Sequence, residues 1–206
     1  LSHPNLLPFV GYLLVDGFPA LVTPWIEEGN LRDRIKRGNL SRSEEMTVFI
    51  ARGIADGLGY LHSKHILHCN LKSANVFLSS SDSPLLADFG SSRFVESDET
   101  ILFTHADDGL GGPRWAAPEL FECSQFTVET DVWAFGMLLY ELLVHKLPFF
   151  RQKSSIQVMR RIILGNLPDW PTEESSAELA DSSVRRTLRD LCEKCWSTIP
   201  SGRPDM

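Results

Sequence analysis

Cysteine is scarce in this chain, and so is positive charge. Only four cysteines occur in 206 residues, Cys69, Cys123, Cys192 and Cys195, which excludes a disulfide-built scaffold. Cys192 and Cys195 form a C-x-x-C pair, but no second pair or histidine partner completes a zinc site. Their spacing is one helical turn and reads as core packing. Lys and Arg number 20 against 27 Asp and Glu, a net charge of −7. That balance gives no cue for nucleic acid or an anionic membrane. A transmembrane run, a signal peptide, internal repeats and low-complexity tracts are not visible. What remains is 43% hydrophobic with five Trp, enough for one folded domain with a sizeable core. The thiols suggest a reducing, intracellular and cytoplasmic setting.

Periodicity supplies the layout. Ser41-Arg42-Ser43-Glu44 is a capping-box pattern. Met46, Phe49, Ile50, Ile54, Leu58 and Leu61 then recur at helical spacing. They predict an amphipathic helix ending near His62, in which Gly53, Gly57 and Gly59 are tolerable where another helix packs closely. Val132 to Val144 is apolar nearly all round, the mark of a buried central helix. Val158, Ile162 and Ile163 suggest a further helix, and Val184, Leu188, Leu191 and Cys195 another. Between Asn75 and Asp88, two apolar runs flank a turn of serines and Asp82, a loop–strand–turn–strand–loop pattern. Helices dominate, and the few strands cluster toward the N-terminal end.

Three motifs stand in a telling order: His68-Cys69-Asn70-Leu71-Lys72-Ser73-Ala74-Asn75, then Asp88-Phe89-Gly90, then Ala117-Pro118-Glu119. Together they resemble the H-R-D-L-x-x-x-N, D-F-G and A-P-E signatures of eukaryotic protein kinases. Lys72-Ser73-Ala74 is closest in style to Ser/Thr kinases of the tyrosine-kinase-like group. Leu1–Tyr12 looks like the family's link from its αC helix into the fourth strand. Ala20–Asn30 looks like the fifth strand and the adenine hinge, with Thr23 as gatekeeper and Pro24, Trp25 and Ile26 as the hinge. Asp131–Gly136 resembles the opening of the family's central helix, and Cys195-Trp196 and Arg203-Pro204 its late motifs. The resemblance implies an α+β protein-kinase-like fold in one domain over residues 1–206, residues 1–26 being a remnant of the N-lobe and hinge and 27–206 the C-lobe.

The resemblance also implies a site. ATP and Mg²⁺ would be the cofactors, with Thr23, Trp25, Ile26 and Phe77 around the nucleotide and Asn75 and Asp88 on the metal. Lys72 and Asn70 take the catalytic positions, and Asn70 is where the family carries its proton-accepting Asp. An amide can orient a hydroxyl but has no usable basicity, and loss of a general base is typically worth about 10²–10⁴ in rate. Cys69 replaces the Arg that usually receives an activation-loop phosphate, so Ser91, Ser92, Ser97, Thr100 and Thr104 lack their usual anchor. Gly112 stands where similar kinases carry a Thr bridging the catalytic Asp and the Lys. His68, Phe89 and Phe9 match members of the family's hydrophobic spine. Asp131 matches the residue that ties down the catalytic loop, and Glu119 with Arg203 a buried ion pair.

Upstream parts are also missing. Nothing before the hinge supplies a glycine-rich loop, a strand lysine or a helix glutamate, the parts that clamp ATP. Gly109–Gly112 lies between the second and third motifs and reads as a flexible loop. The chain therefore reads as cut from a longer protein or as a truncated product, with weak nucleotide binding. Two readings stay open: a pseudokinase that works by binding protein partners in signalling, and an active or weakly active Ser/Thr kinase whose N-lobe lies upstream.

Overall fold

The turn chemistry of the first hairpin is explicit. In a computed structural model describing residues 1–95, 112–123, 125–171 and 182–206, strands β1 (Gly11–Val15) and β2 (Phe18–Val22) pair antiparallel. Asp16 and Gly17 both hold positive φ, 50° and 84°. That is the two-residue turn whose twist suits paired strands and for which Asp-Gly is favoured. Leu13, Leu14, Val15, Phe18 and Leu21 all remain exposed on this hairpin.

Helix α1 (Leu31–Arg37) starts at Asn30, whose side chain accepts the Asp33 N–H at 2.9 Å. Helix α2 (Glu44–Ser63) starts at Ser43, whose Oγ accepts the Met46 N–H at 3.2 Å. The expected box beginning at Ser41 does not form: the N-cap lies two residues later, and Ser41 instead accepts the Ser43 N–H. Ile50, Ile54, Leu58 and Leu61 are fully buried on α2, whereas Phe49, on the same spacing, is 48% exposed. The α2 glycines face strand and loop rather than another helix. A Cβ on Gly53 would lie 2.5 Å from Pro84 Cγ, and one on Gly57 would lie 3.0 Å from the Asn5 carbonyl oxygen.

Four short strands follow: β3 (Ile66–Leu67), β4 (Val76–Leu78), β5 (Pro84–Leu86) and β6 (Arg93–Phe94). β4 and β5 form the expected hairpin, Val76 opposite Leu86 and Leu78 opposite Pro84, while β3 pairs with β6. The Ser79 hydroxyl accepts the N–H groups of Ser81 and Ser83 inside the turn. Asn5 ties the first residues to this hairpin, its amide donating to the Pro84 carbonyl at 3.0 Å.

Helix α3 (Val128–Val144) is the centre of the core, with every residue from Thr130 to Val144 buried. At its start Thr130 Oγ1 accepts the Thr127 N–H and donates to the Thr127 carbonyl. Helix α4 (Ser155–Ile163) buries Val158 and Ile162 but leaves Ile163 55% exposed. Helix α5 (Ser183–Cys195) packs Leu188, Cys192 and Cys195 inward, leaving Val184 exposed. Burial raises both thiols, Cys195 to about 12, so the C-x-x-C pair is inert packing. The architecture is α+β as expected: helices around α3, and small two-stranded sheets toward the N-terminal side. Among the described residues no helix is long and apolar enough to cross a membrane.

Candidate functional site

The site is assembled on one buried carboxylate. Asp131, in the first turn of α3, is 2% exposed. It accepts the backbone N–H groups of His68 at 2.8 Å and Cys69 at 2.9 Å, and the His62 Nε2–H at 3.0 Å. Those bonds satisfy backbone donors that would otherwise be lost in the interior, and they fix a loop in a demanding conformation. Cys69 holds φ at 63°, a region side-chain-bearing residues enter only when held there. Burial beside Asp131 pushes the Cys69 thiol up to about 12, so it stays protonated and offers neither a thiolate nor a phosphate anchor.

From that loop Asn70 and Asn75 converge on Asp88. The Asn70 Nδ2 group donates to Asp88 Oδ2 at 2.9 Å, and the Asn75 Nδ2 group donates to the same oxygen at 3.1 Å. Asn75 Nδ2 also donates to the Asn70 carbonyl at 2.8 Å. Asp88 itself is exposed and in the left-handed region, φ 63°. Lys72 opens the short 3-10 turn Ser73–Asn75, its carbonyl accepting the Asn75 N–H at 2.9 Å. The donor set suits a hard cation: Asp88 Oδ1 and Asn75 Oδ1 are carboxylate and amide oxygens of the kind Mg²⁺ takes together with phosphate oxygens. Asp88 Oδ2 is already occupied by two N–H donors.

Behind this triangle the support is buried. His68 is fully buried and packs on Phe89, ring centroids 5.6 Å apart. Burial lowers its pKa, and its Nδ1 accepts the Asn70 N–H at 3.3 Å, so the neutral ring carries its proton on Nε2. Ser73 donates to Glu141 Oε1 at 2.8 Å inside the core. Arg203 forks onto Glu119 at 2.6 and 2.9 Å, as expected, and also donates to the Glu129 and Ser197 carbonyls. Removing one partner of such a pair typically costs about 3–5 kcal/mol.

Other expected residues are not gathered in. Trp25 is 88% exposed and Thr23 is exposed, on the irregular stretch after β2. Ile26 and Phe77 are half-buried, and Phe77 sits on β4 in a bridge to Asn30. Phe9, just before β1, is 61% exposed. Ser92 donates to the His68 carbonyl at 3.3 Å, while Ser97, Thr100, Thr104 and Gly109–Gly111 lie outside the described residues. One brace had no sequence signal. Arg34 on α1 reaches Glu28 at 3.0 Å beside the hinge and Asp82 at 3.0 Å in the β4–β5 turn.

This geometry defines the class. The anchored loop, the Asp88-Phe89-Gly90 turn and the Glu119–Arg203 pair are the framework of a protein kinase domain, and the protein kinase domain family matches the chain over residues 1–206. The chain belongs to that family. It is 32% identical over 206 residues to the serine/threonine/tyrosine-protein kinase HT1 of Arabidopsis thaliana, covering all of this chain and 49% of that protein. It is likewise 32% identical over 210 residues to a probable serine/threonine-protein kinase of Dictyostelium discoideum, covering all of this chain and 18% of that protein. It is 29% identical over 217 residues to the human serine/threonine-protein kinase TNNI3K, again across the whole chain and 24% of the relative. The chain thus spans half or less of the length of these relatives.

Proposed function

We propose that this protein kinase domain is catalytically impaired and acts in signalling as a module that binds protein partners. The observation that carries the reading is Asn70 on Asp88. At the position of the family's proton acceptor stands a side chain whose amide donates a hydrogen bond at 2.9 Å. A neutral amide cannot take the proton of a substrate hydroxyl. Cys69, held as a neutral thiol, and Gly112 remove two further parts of the same machinery. Asp88 and Asn75 support residual Mg²⁺-nucleotide contact. With Trp25 exposed, we expect that contact to be weak, millimolar or poorer, which is about −4 kcal/mol. The free thiols support an intracellular, cytoplasmic setting. The alternative is an active Ser/Thr kinase completed by further chain, favoured by the retained Asp88, Asn75 and Lys72.

One assay separates the two. Purified protein and Asn70→Asp are incubated with ATP, Mg²⁺ and a generic Ser/Thr substrate. Both should be inactive, because residues that act as a unit are not rescued singly. Phosphotransfer by the unmodified protein within about a hundredfold of the 1–100 s⁻¹ usual for kinases overturns the proposal. Robust turnover by Asn70→Asp alone would show Asn70 to be the sole lesion.

A further inference from the structure

We propose that Asn70 is an uncharged internal substitute for a divalent cation at Asp88. Its amide holds the Asp88-Phe89-Gly90 turn onto the catalytic loop with no metal required. This deepens the reading above and rests on it for the role of the loop.

The argument begins with Asp88 Oδ2. Two N–H groups converge on it, from Asn70 at 2.9 Å and from Asn75 at 3.1 Å. The orientation of both amides follows from the network. Asn75 Nδ2 must also donate to the Asn70 carbonyl at 2.8 Å, and turning the Asn70 amide would set its oxygen against a carboxylate oxygen. The three residues therefore close a ring: the Asn70 backbone to the Asn75 side chain, then to the Asp88 carboxylate, then back to the Asn70 side chain. The ring spans the catalytic loop and the turn after β5, which the chain leaves 18 residues apart. Asp88 sits in this ring with φ at 63°, in the left-handed region that aspartate tolerates better than most residues.

An acid at position 70 would invert this. The donor 2.9 Å from Asp88 Oδ2 would become a second anion, and two carboxylates that close repel unless a cation lies between them. The asparagine reverses the sign of the contact. Carboxylate repulsion that a metal would have to neutralise is replaced by a charge-assisted hydrogen bond that needs none. The same bond occupies one of the two Asp88 oxygens, leaving Oδ1 and Asn75 Oδ1 for any cation, with one formal negative charge rather than two.

The test uses melting temperature without nucleotide, in chelator and in millimolar MgCl₂, on the protein, Asn70→Asp and Asn70→Ala. The unmodified protein should shift by less than about 1 °C with Mg²⁺, and Asn70→Asp should melt about 4 °C or more lower in chelator and regain most of that in Mg²⁺. Asn70→Ala should also melt lower, by about 2 °C, through loss of the amide bond. An unmodified protein as Mg²⁺-responsive as Asn70→Asp overturns the proposal, as does Asn70→Asp matching it in chelator. Should Asn70→Asp fail to fold, an Asn70→Ala melting point unchanged from the parent overturns it on its own. Phosphotransfer measured on the same preparations separates this proposal from the last. An active protein with a Mg²⁺-insensitive melt refutes the functional reading alone, and an inactive one stabilised by Mg²⁺ refutes the substitute alone.

Discussion

Leu138 in α3 and Leu14 in β1 are the same side chain in opposite circumstances. Leu138 is fully buried among helices, and Leu14 is 66% exposed on a hairpin whose neighbours Leu13, Val15, Phe18 and Leu21 are exposed with it. The hairpin has good local chemistry, an Asp-Gly turn and five paired positions. Local chemistry shapes a strand pair but does not stabilise it; an isolated two-stranded hairpin is marginal without a packed face. The body around α3 shows the reverse. Its strands are only two or three residues long, yet burial holds them, and through Asp131 the same body holds the site. Stability and site geometry thus belong to one region, and the amino-terminal hairpin contributes little to either.

The sharpest way to break that comparison is to cut into the core. Leu138→Ala should cost about 2–5 kcal/mol, because α3 is enclosed on all sides and cannot collapse onto the gap. In a domain of this size each kcal/mol is worth roughly 2–4 °C in melting temperature. A loss below about 1 kcal/mol in urea titration would mean that α3 is not the centre of stability.

A second way uses the charge buried in that core. Glu141 is 2% exposed, and burial pushes its carboxyl up to about 7, opposed by the Ser73 hydroxyl and by Arg32 and Arg114. The folded state therefore holds this proton more tightly than the unfolded chain. The associated stability is full below the ordinary glutamate value near 4.5 and is lost as pH rises through about 7. Glu141→Gln keeps an oxygen for Ser73 and carries no charge. It should gain on the parent between pH 5 and pH 8 by an amount on the order of 3 kcal/mol at most. Urea melts of both proteins at the two pH values read the difference directly, and a pH-independent difference would remove Glu141 from the account.

Particular residues show what the sequence could reveal. The α3 core was legible because apolar residues on every side leave one physical option, burial, whatever the neighbours are. The β4–β5 hairpin was legible from Ser79, Asp82 and the two flanking apolar runs. Periodicity failed at edges: Phe49, Ile163 and Val184 fit their helical patterns yet are exposed, because spacing specifies a face and not what covers it. The Asp131 contacts to His68 and Cys69, and the Glu119–Arg203 pair, came from family resemblance and not from any local pattern. Asn70 was legible only as a lost base. Its gain, a donor reaching Asp88, depends on a fold that brings together residues far apart in the chain. The Arg34 brace to Glu28 and Asp82 spans 6 and 48 residues and likewise has no local signature.

The smallest expected effect sharpens the comparison from the other side. Leu14→Ser removes an apolar side chain that is already 66% in water, so little transfer free energy is at stake and no cavity forms. The change should stay within about 0.5 kcal/mol, the usual range for surface positions. Hydrogen exchange gives an independent reading. The β1 and β2 amides should exchange through local opening at a lower free energy than those of α3, which should approach the global value. If Leu14→Ser instead destabilises the whole domain, or if β1 amides are protected as strongly as those of α3, the hairpin is coupled to the body through contacts its exposure does not reveal, and the division of labour drawn here fails.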